Sequence, residues 1–123
     1  MMAIANIYLS TRPDVKFIAT NDDSVFSTGT RLMPDVGALL VAQEVASGRQ
    51  ADKVGKPDPF GFQVMQKEHG DLKNIVMIGD NLHTDIAFGA NIGASTCLVL
   101  TGVSKESDID DVKPTYVVDS FSI

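Results

Sequence analysis

The chain has 123 residues, of which 44% are hydrophobic and 21% charged, and its formal net charge is -6. This composition is ordinary for a globular protein, and no apolar run approaches the ~18 residues that span a membrane. The acidic balance and the scattered lysines and arginines exclude a nucleic-acid partner, and the single cysteine excludes an internal disulfide framework. Because no basic run precedes an apolar core at the start, a cytoplasmic protein is expected.

The first part of the chain predicts a helix, an extended segment and a second helix. Residues 1–9 have the apolar spacing of a short helix, and a turn separates them from an extended apolar segment at 15–20. Asp35 is placed to cap the next helix, and Gly48 is placed to end it in a left-handed turn.

A lysine follows in the loop before a third predicted helix. Lys56 lies between a glycine and a proline, and Asp58-Pro59 is typical of a helix start, with the helix running to Gly70. On the ligand-binding side of an α/β layer, this lysine can neutralise phosphate charge and orient a carboxylate. Taken alone the signal is weak, because a lysine in a turn is usually only solvated.

The strongest signal is an apolar strand at 75–78 that ends in Gly79-Asp80. In sheets covered on both faces, ligands gather at the carboxyl ends of strands. A helix from about Thr84 places Asp85 in its first turn, where unpaired backbone amides favour negative charge. Asp80 and Asp85 are therefore predicted to share a magnesium ion, which binds a few carboxylates and keeps several waters. The alternative for Gly79-Asp80 is an Asx turn or a helix cap.

The ordered lysine and acidic pair resemble motifs of the haloacid-dehalogenase (HAD)-type phosphatases, in which a lysine is followed by GD-x-x-x-TD. Gly79-Asp80 and Thr84-Asp85 match that spacing. The similarity is greatest to the subgroup with a large inserted cap, which contains the nucleotide phosphatase of the N-acetylglucosamine operon, 4-nitrophenylphosphatases, phosphoglycolate phosphatases and pyridoxal phosphate phosphatases. Residues 17–23, 54–57 and 98–103 look like recurring segments of that subgroup, in the right order.

The resemblance implies an α/β fold. It would comprise the carboxyl-terminal half of a Rossmann-like HAD core, a parallel sheet with flanking helices, preceded by the end of an α/β cap. Residues 1–52 would be the remnant of the cap, and residues 53–123 the half-core, with its last strands at 96–100 and 116–118. Such a half-sheet would lack its central partner strand, so its exposed edge is a candidate surface for self-association.

The resemblance also implies a magnesium-dependent phosphatase that acts on small phosphorylated metabolites. Lys56 would be catalytic, pairing with the nucleophile and the phosphoryl oxygens, while Asp80 and Asp85 would bind the metal. Thr84 is expected to cap the helix that carries Asp85. The candidates for contact with substrate are Asn21, Asp23 and Asn81, although the first two are equally suited to ordering a turn.

Members of this family attack phosphate with an aspartate from an amino-terminal Asp-x-Asp-Gly motif, which occurs nowhere in this sequence. The chain is therefore expected to be the carboxyl-terminal part of a phosphatase and to be inactive by itself. The alternative is a non-catalytic pseudo-phosphatase that acts as a metal-binding or protein-interaction module. A phosphoryl-receiver domain also joins acids to a lysine, but there the acids precede the lysine, whereas Lys56 precedes Asp80.

Overall fold

The structure is a computed structural model that describes residues 2–122, without the side chain of Ser27. The chain forms two compact units, the first ending at Gly55 and the second beginning at Lys56. Within the described residues, no helix has both the length and the apolar character needed to cross a bilayer.

The first unit consists of two packed helices and two pairs of short strands. Its elements are α1 (Met2–Thr11), β1 (Ile18–Ala19), β2 (Val25–Ser27), β3 (Leu32–Pro34), α2 (Val36–Ser47) and β4 (Asp52–Lys53). β1 pairs in parallel with β4, and β2 and β3 form an antiparallel hairpin. β4 pairs with β1, and the unit continues to Gly55. The predicted first helix is present, although Met1 lies outside the described residues.

Helix α2 has the caps that its sequence predicts. The side chain of Asp35 accepts a hydrogen bond from the backbone N–H of Val36 at 2.7 Å. Gly48 has a left-handed backbone with φ of 68°, and its N–H donates to the carbonyl oxygen of Glu44 at 2.9 Å. Glycine adopts this conformation without the steric cost that a Cβ brings. The predicted start of the helix at Asp35 and its predicted end at Gly48 are both confirmed.

Arg49, just after α2, forms hydrogen bonds to the end of α1 and the residues that follow it. Its guanidinium donates to the carbonyl oxygens of Leu9 at 3.2 Å, Arg12 at 3.3 Å and Val15 at 2.8 Å. The last carbonyls of a helix have no partner within the helix, so a side chain with several donors is suited to this place. One arginine thus connects the two helices of the unit.

The first unit also has an apolar pocket of about 680 Å³ beside α1, β1 and α2. Several large apolar side chains of the two helices are exposed, including Ile4 (61%), Leu39 (56%) and Val45 (79%). Twelve residues line the pocket: Met2, Ile4, Ala5, Tyr8, Phe17, Ile18, Ala19, Thr20, Val36, Leu39, Leu40 and Gln43.

The second unit is built on a parallel three-stranded sheet in the order β5-β6-β7. Its elements are α3 (Phe60–His69), β5 (Val76–Gly79), a π-helical turn (Leu82–Ile86), α4 (Ala87–Asn91), β6 (Ser95–Val99), a 3₁₀ turn (Glu106–Asp108) and β7 (Tyr116–Val118). The three predicted strands are present with shifts of one residue at most. In the described part of the chain, β5 and β7 are the edges of this sheet.

The core of the second unit lies where the π-helical turn meets β6. Leu82, Ile86 and Leu98 are at most 1% exposed, and the partly buried Leu100, Ile109 and Val112 pack against them. Apolar burial at this contact fixes the turn relative to the sheet. The acidic residues on either side of Leu82 are therefore carried by a rigid part of the unit.

Candidate functional site

Three predicted residues, Lys56, Asp80 and Asp85, come together at the carboxyl end of β5. The strand ends at Gly79, Asp80 follows directly, and Asp85 lies in the π-helical turn that comes next. Since parallel strands end at the same edge of a sheet, the loop after β6 reaches this place as well. Hydrogen bonds in the second unit connect all of these segments.

The carboxylate of Asp85 is the centre of the site and is buried, with 5% of the residue exposed. Its Oδ2 accepts hydrogen bonds from the backbone N–H groups of Asp80 at 3.1 Å and Asn81 at 3.2 Å. Its Oδ1 forms an ion pair with the ammonium of Lys56. A Cβ added to Gly79 would overlap with this carboxylate, so the absence of a side chain there makes room for Asp85.

Lys56 combines a fixed partner with access to solvent. Its side chain is 49% exposed, whereas the side chain of Asp85 is 7% exposed. The following residue, Pro57, accepts a hydrogen bond from the side-chain amide of Asn91 at 2.8 Å, which anchors the lysine loop to the end of α4. An ammonium has three donors, so binding to Asp85 leaves donors for a second anion.

Asp80 is held differently from Asp85. Its Oδ2 accepts a hydrogen bond from the backbone N–H of Val103 at 2.9 Å, and its carbonyl oxygen accepts one from the N–H of Ser104 at 2.9 Å. Within residues 2–122, its other carboxylate oxygen, Oδ1, accepts no hydrogen bond. Among the described residues, that oxygen is the one oxygen of the Asp80 and Asp85 carboxylates that accepts no hydrogen bond.

The prediction that Thr84 caps the helix of the site is wrong. The helical segment begins at Leu82, earlier than predicted, and the side chain of Asn81 accepts a hydrogen bond from the N–H of His83 at 3.0 Å. Thr84 lies inside the π-helical turn and is 9% exposed. Asp85 does lie in the first helical turn, as predicted.

The other two candidates for substrate contact, Asn21 and Asp23, lie in the first unit. The amide nitrogen of Asn21 donates to the carboxylate of Asp23 at 3.4 Å, and its Oδ1 is buried without a partner among the described residues. The surrounding backbone is closely packed, since a Cβ on Gly37 would overlap with Asp22 and one on Gly55 would overlap with Thr20. The segment around Asn21 therefore packs against two glycines that are distant in the sequence, and this packing is not predictable from residues 20–23 alone.

Three further residues, Gly102, Val103 and Ser104, contact Asp80 or its loop, and no motif in the sequence marks them. The segment 98–103 resembles a recurring segment of the HAD subgroup, but the resemblance implies no role for its residues. The available signal was a glycine soon after the end of a buried strand, at the sheet edge where ligands gather.

The donor set at this site fits magnesium better than zinc. Among the described residues there is no group of three or more His, Cys, Asp or Glu side chains arranged as a metal site. A structural zinc site needs about four nitrogen or sulfur ligands, whereas magnesium is held by one or two carboxylates and keeps several waters. The open oxygen of Asp80, with Asp85 nearby, meets the second requirement.

Comparisons with known proteins agree with this fold. A family model described as HAD-hydrolase-like matches residues 53–122. Chronophin of Mus musculus is 40% identical over 121 residues, which cover 89% of this chain and 41% of that protein. The structure of 4-nitrophenylphosphatase from Thermotoga maritima is similar with a TM-score of 0.83 and 33% identity, covering 96% of this chain and 46% of that one.

A third similar protein was solved with a metal. The glycerol phosphate phosphatase of Mycobacterium tuberculosis, in complex with calcium, has a TM-score of 0.80 and 28% identity, covering 95% of this chain and 35% of that one. The chain thus spans less than half the length of each of these three relatives.

The chain belongs to the HAD-hydrolase-like family, since the family model covers more than half of it. The resemblance to HAD-type phosphatases is confirmed, and so is the predicted α/β class with a partial Rossmann-like core. Lys56 precedes Asp80 and Asp85 in the sequence, an order that differs from that of a receiver domain and agrees with this assignment.

Proposed function

We propose that this chain provides the metal-binding and phosphate-binding part of a magnesium-dependent phosphatase. The observation that carries the proposal is the ion pair between Lys56 and the buried Asp85, next to an Asp80 oxygen without a donor. Residues 53–123 would then be the half-core and residues 1–52 the remnant of the cap.

The net charge of these three side chains favours binding of a cation, and a phosphate would bind only after the cation. Two carboxylates and one ammonium leave an excess of negative charge, which repels a phosphate. A bound divalent cation would reverse that sign and stabilise charge on the transferring phosphoryl group. Asp80 would hold the cation through Oδ1. Asp85, with three donors already on its oxygens, would act mainly through water and by fixing the loop.

Lys56 is the residue of this chain that would bind the phosphoryl oxygens. Its pairing with Asp85 fixes the position of the ammonium, and its exposed side allows an anion to approach. The residue that attacks phosphorus in family members belongs to the Asp-x-Asp-Gly motif, which is absent from this sequence. We therefore propose that the 123 residues by themselves do not turn over a phosphoester.

The substrate class proposed is a small phosphorylated metabolite. Similar proteins are named for 4-nitrophenyl phosphate and glycerol phosphate, which are small phosphoesters. Asn21 and Asp23, in the first unit, remain candidates for contact with substrate, and the Oδ1 of Asn21 has no hydrogen-bond donor among the described residues. Asn81 remains a candidate through its amide nitrogen, because its oxygen caps the turn. A cytoplasmic location also stays a prediction.

A non-catalytic interaction module is the second candidate. Exposed apolar side chains on α1 and α2 and the apolar pocket beside them favour it, as large apolar patches are typical of contact surfaces. Self-association through a sheet edge belongs to this candidate, and β5 is an edge strand whose Val76 is 51% exposed.

Binding of Mn²⁺, a paramagnetic substitute for Mg²⁺, tests the proposed metal site. We expect electron paramagnetic resonance to show Mn²⁺ binding that Mg²⁺ displaces. Asp80→Asn should weaken it by more than about tenfold, because a direct ligand is changed. Asp111→Asn, at an exposed acid outside the site, is the matched control. Equal Mn²⁺ affinity in the two variants would contradict the proposal.

A further inference from the structure

We propose that residues 102–104, after β6, form a clamp that positions Asp80 and thereby sets the metal affinity of the acidic loop after β5. The inference rests on the proposed metal site and assigns new positioning residues to it. Hydrogen bonds of Val103 and Ser104 and the close approach of Gly102 to Asp80 carry it.

The first contact selects which oxygen of Asp80 is available. The N–H of Val103 donates to Oδ2 at 2.9 Å, and this oxygen is thereby directed toward the 102–104 segment. A carboxylate that accepts a backbone hydrogen bond on one oxygen is held in one rotamer. It therefore presents the other oxygen, Oδ1, in a fixed direction, and a cation would meet a single oriented ligand.

The second contact fixes the backbone of the loop. Ser104 is 6% exposed, and it bonds to both sides of Asn81. Its N–H donates to the carbonyl oxygen of Asp80 at 2.9 Å, and its hydroxyl accepts from the N–H of Leu82 at 3.0 Å. Because Leu82 belongs to the buried core, Ser104 connects the loop of Asp80 to the core of the unit.

The third contact is steric. A Cβ added to Gly102 would overlap with the carboxylate of Asp80, including Oδ2. The backbone of Gly102 is not in the left-handed region, so its requirement for glycine comes from space and not from conformation. Any side chain at 102 must therefore displace Asp80 or the 102–104 segment.

The test compares Mn²⁺ affinity in Gly102→Ala with that in a matched glycine variant. Gly61→Ala is suitable, because an added Cβ at 61 meets no atom within 4 Å. Residues that orient metal ligands typically change metal affinity by about 10–100-fold when altered, and we expect a loss in that range for Gly102→Ala. Gly61→Ala should bind Mn²⁺ as the unsubstituted chain does. Equal affinity in folded Gly102→Ala would overturn the clamp.

A second variant decides the matter if Gly102→Ala does not fold. Ser104→Ala removes the acceptor for the Leu82 N–H, and Ser107→Ala, at an exposed serine, is its control. We expect Ser104→Ala to lower the Mn²⁺ affinity of the folded protein by about tenfold. A purely structural serine would lower the urea midpoint and leave that affinity unchanged, which would overturn the clamp. An unsubstituted chain that binds no Mn²⁺ would instead contradict the proposed metal site, and the clamp with it.

Discussion

The backbone N–H of Asp80 donates to the side chain of Asp85 at 3.1 Å. The buried carboxylate of Asp85 therefore holds the loop that carries Asp80, the less buried of the two acids. The same carboxylate binds Asn81 and the ammonium of Lys56. The two acids of the motif therefore differ in their surroundings. Asp85 organises the loop and the lysine, while Asp80 keeps an oxygen without a donor.

Removing the carboxylate of Asp85 is expected to destabilise the second unit. In Asp85→Ala, two backbone N–H groups lose their acceptor, and each buried donor left unpaired costs roughly 1–3 kcal/mol. We expect the free energy of unfolding, measured in urea by circular dichroism, to fall by about 2–4 kcal/mol. Asp85→Asn, which keeps an acceptor oxygen, should lose less. Asp111→Ala is the surface control, and an Asp85→Ala chain as stable as this control would contradict the account.

Gly79 is expected to tolerate no side chain. Its Cβ would overlap with the carboxylate of Asp85, which is buried and bonded on both oxygens. Gly79→Ala should therefore lower the free energy of unfolding by about 1–3 kcal/mol, as overpacking does elsewhere. Gly61→Ala serves as the comparison, because a Cβ added at this position meets no atom within 4 Å. Unfolding curves that coincide for the two variants would show that Asp85 can move aside.

Arg49 is expected to stabilise the first unit through its three carbonyl contacts. Arg49→Ala should speed hydrogen exchange of the last α1 amides and lower the free energy of unfolding by about 1–3 kcal/mol. Arg49→Lys should restore little, because an ammonium lacks the planar fork that spans several acceptors. Arg31→Ala, at an exposed arginine, is the control. Full rescue by lysine would mean that charge alone accounts for the effect.

The pair Lys53–Asp22 gives the first unit a pH dependence at alkaline pH. The hydrogen bond to Asp22 at 2.8 Å, with the charge of that carboxylate, raises the pKa of the Lys53 ammonium above its ordinary 10.5. Because the folded-state pKa is the higher one, the stabilisation is complete below 10.5 and is lost as the pH rises through the folded-state value. Half of the Lys53 side chain is exposed, so the contribution is at most about 1 kcal/mol.

An NMR titration of the Lys53 side chain measures this shift. Its midpoint should lie higher in the unsubstituted chain than in Asp22→Asn, because the variant lacks the carboxylate that raises the pKa of Lys53. A Lys53 midpoint unchanged by Asp22→Asn would show that the ion pair does not form in solution.

Local signals in the sequence predicted much of the fold. The caps of α2 at Asp35 and Gly48 follow from residue types whose preferences operate within a few positions. The strand ending at Gly79-Asp80 follows in the same way from apolar β-favouring residues before a glycine. These preferences are local, so they are readable without the rest of the structure.

What the sequence did not predict depends on contacts between distant segments. Val103 and Asp80 are 23 positions apart, and the role of Gly102 exists only because the loop after β6 returns to that acid. The pairing of β1 with β4 likewise joins Ile18 to Asp52, which lies 34 positions later in the chain. The π-helical turn begins at Leu82 and is capped by Asn81, so Thr84 does not cap it as predicted.

The most direct test of the account is hydrolysis of 4-nitrophenyl phosphate with Mg²⁺ by the 123-residue chain, alongside Asp80→Asn. The chain holds Lys56, Asp80 and Asp85 but lacks the Asp-x-Asp-Gly motif. Negligible turnover is therefore expected, with no difference between the two proteins. Magnesium-dependent turnover well above that of Asp80→Asn would contradict it, because a nucleophile would then have to exist within these residues.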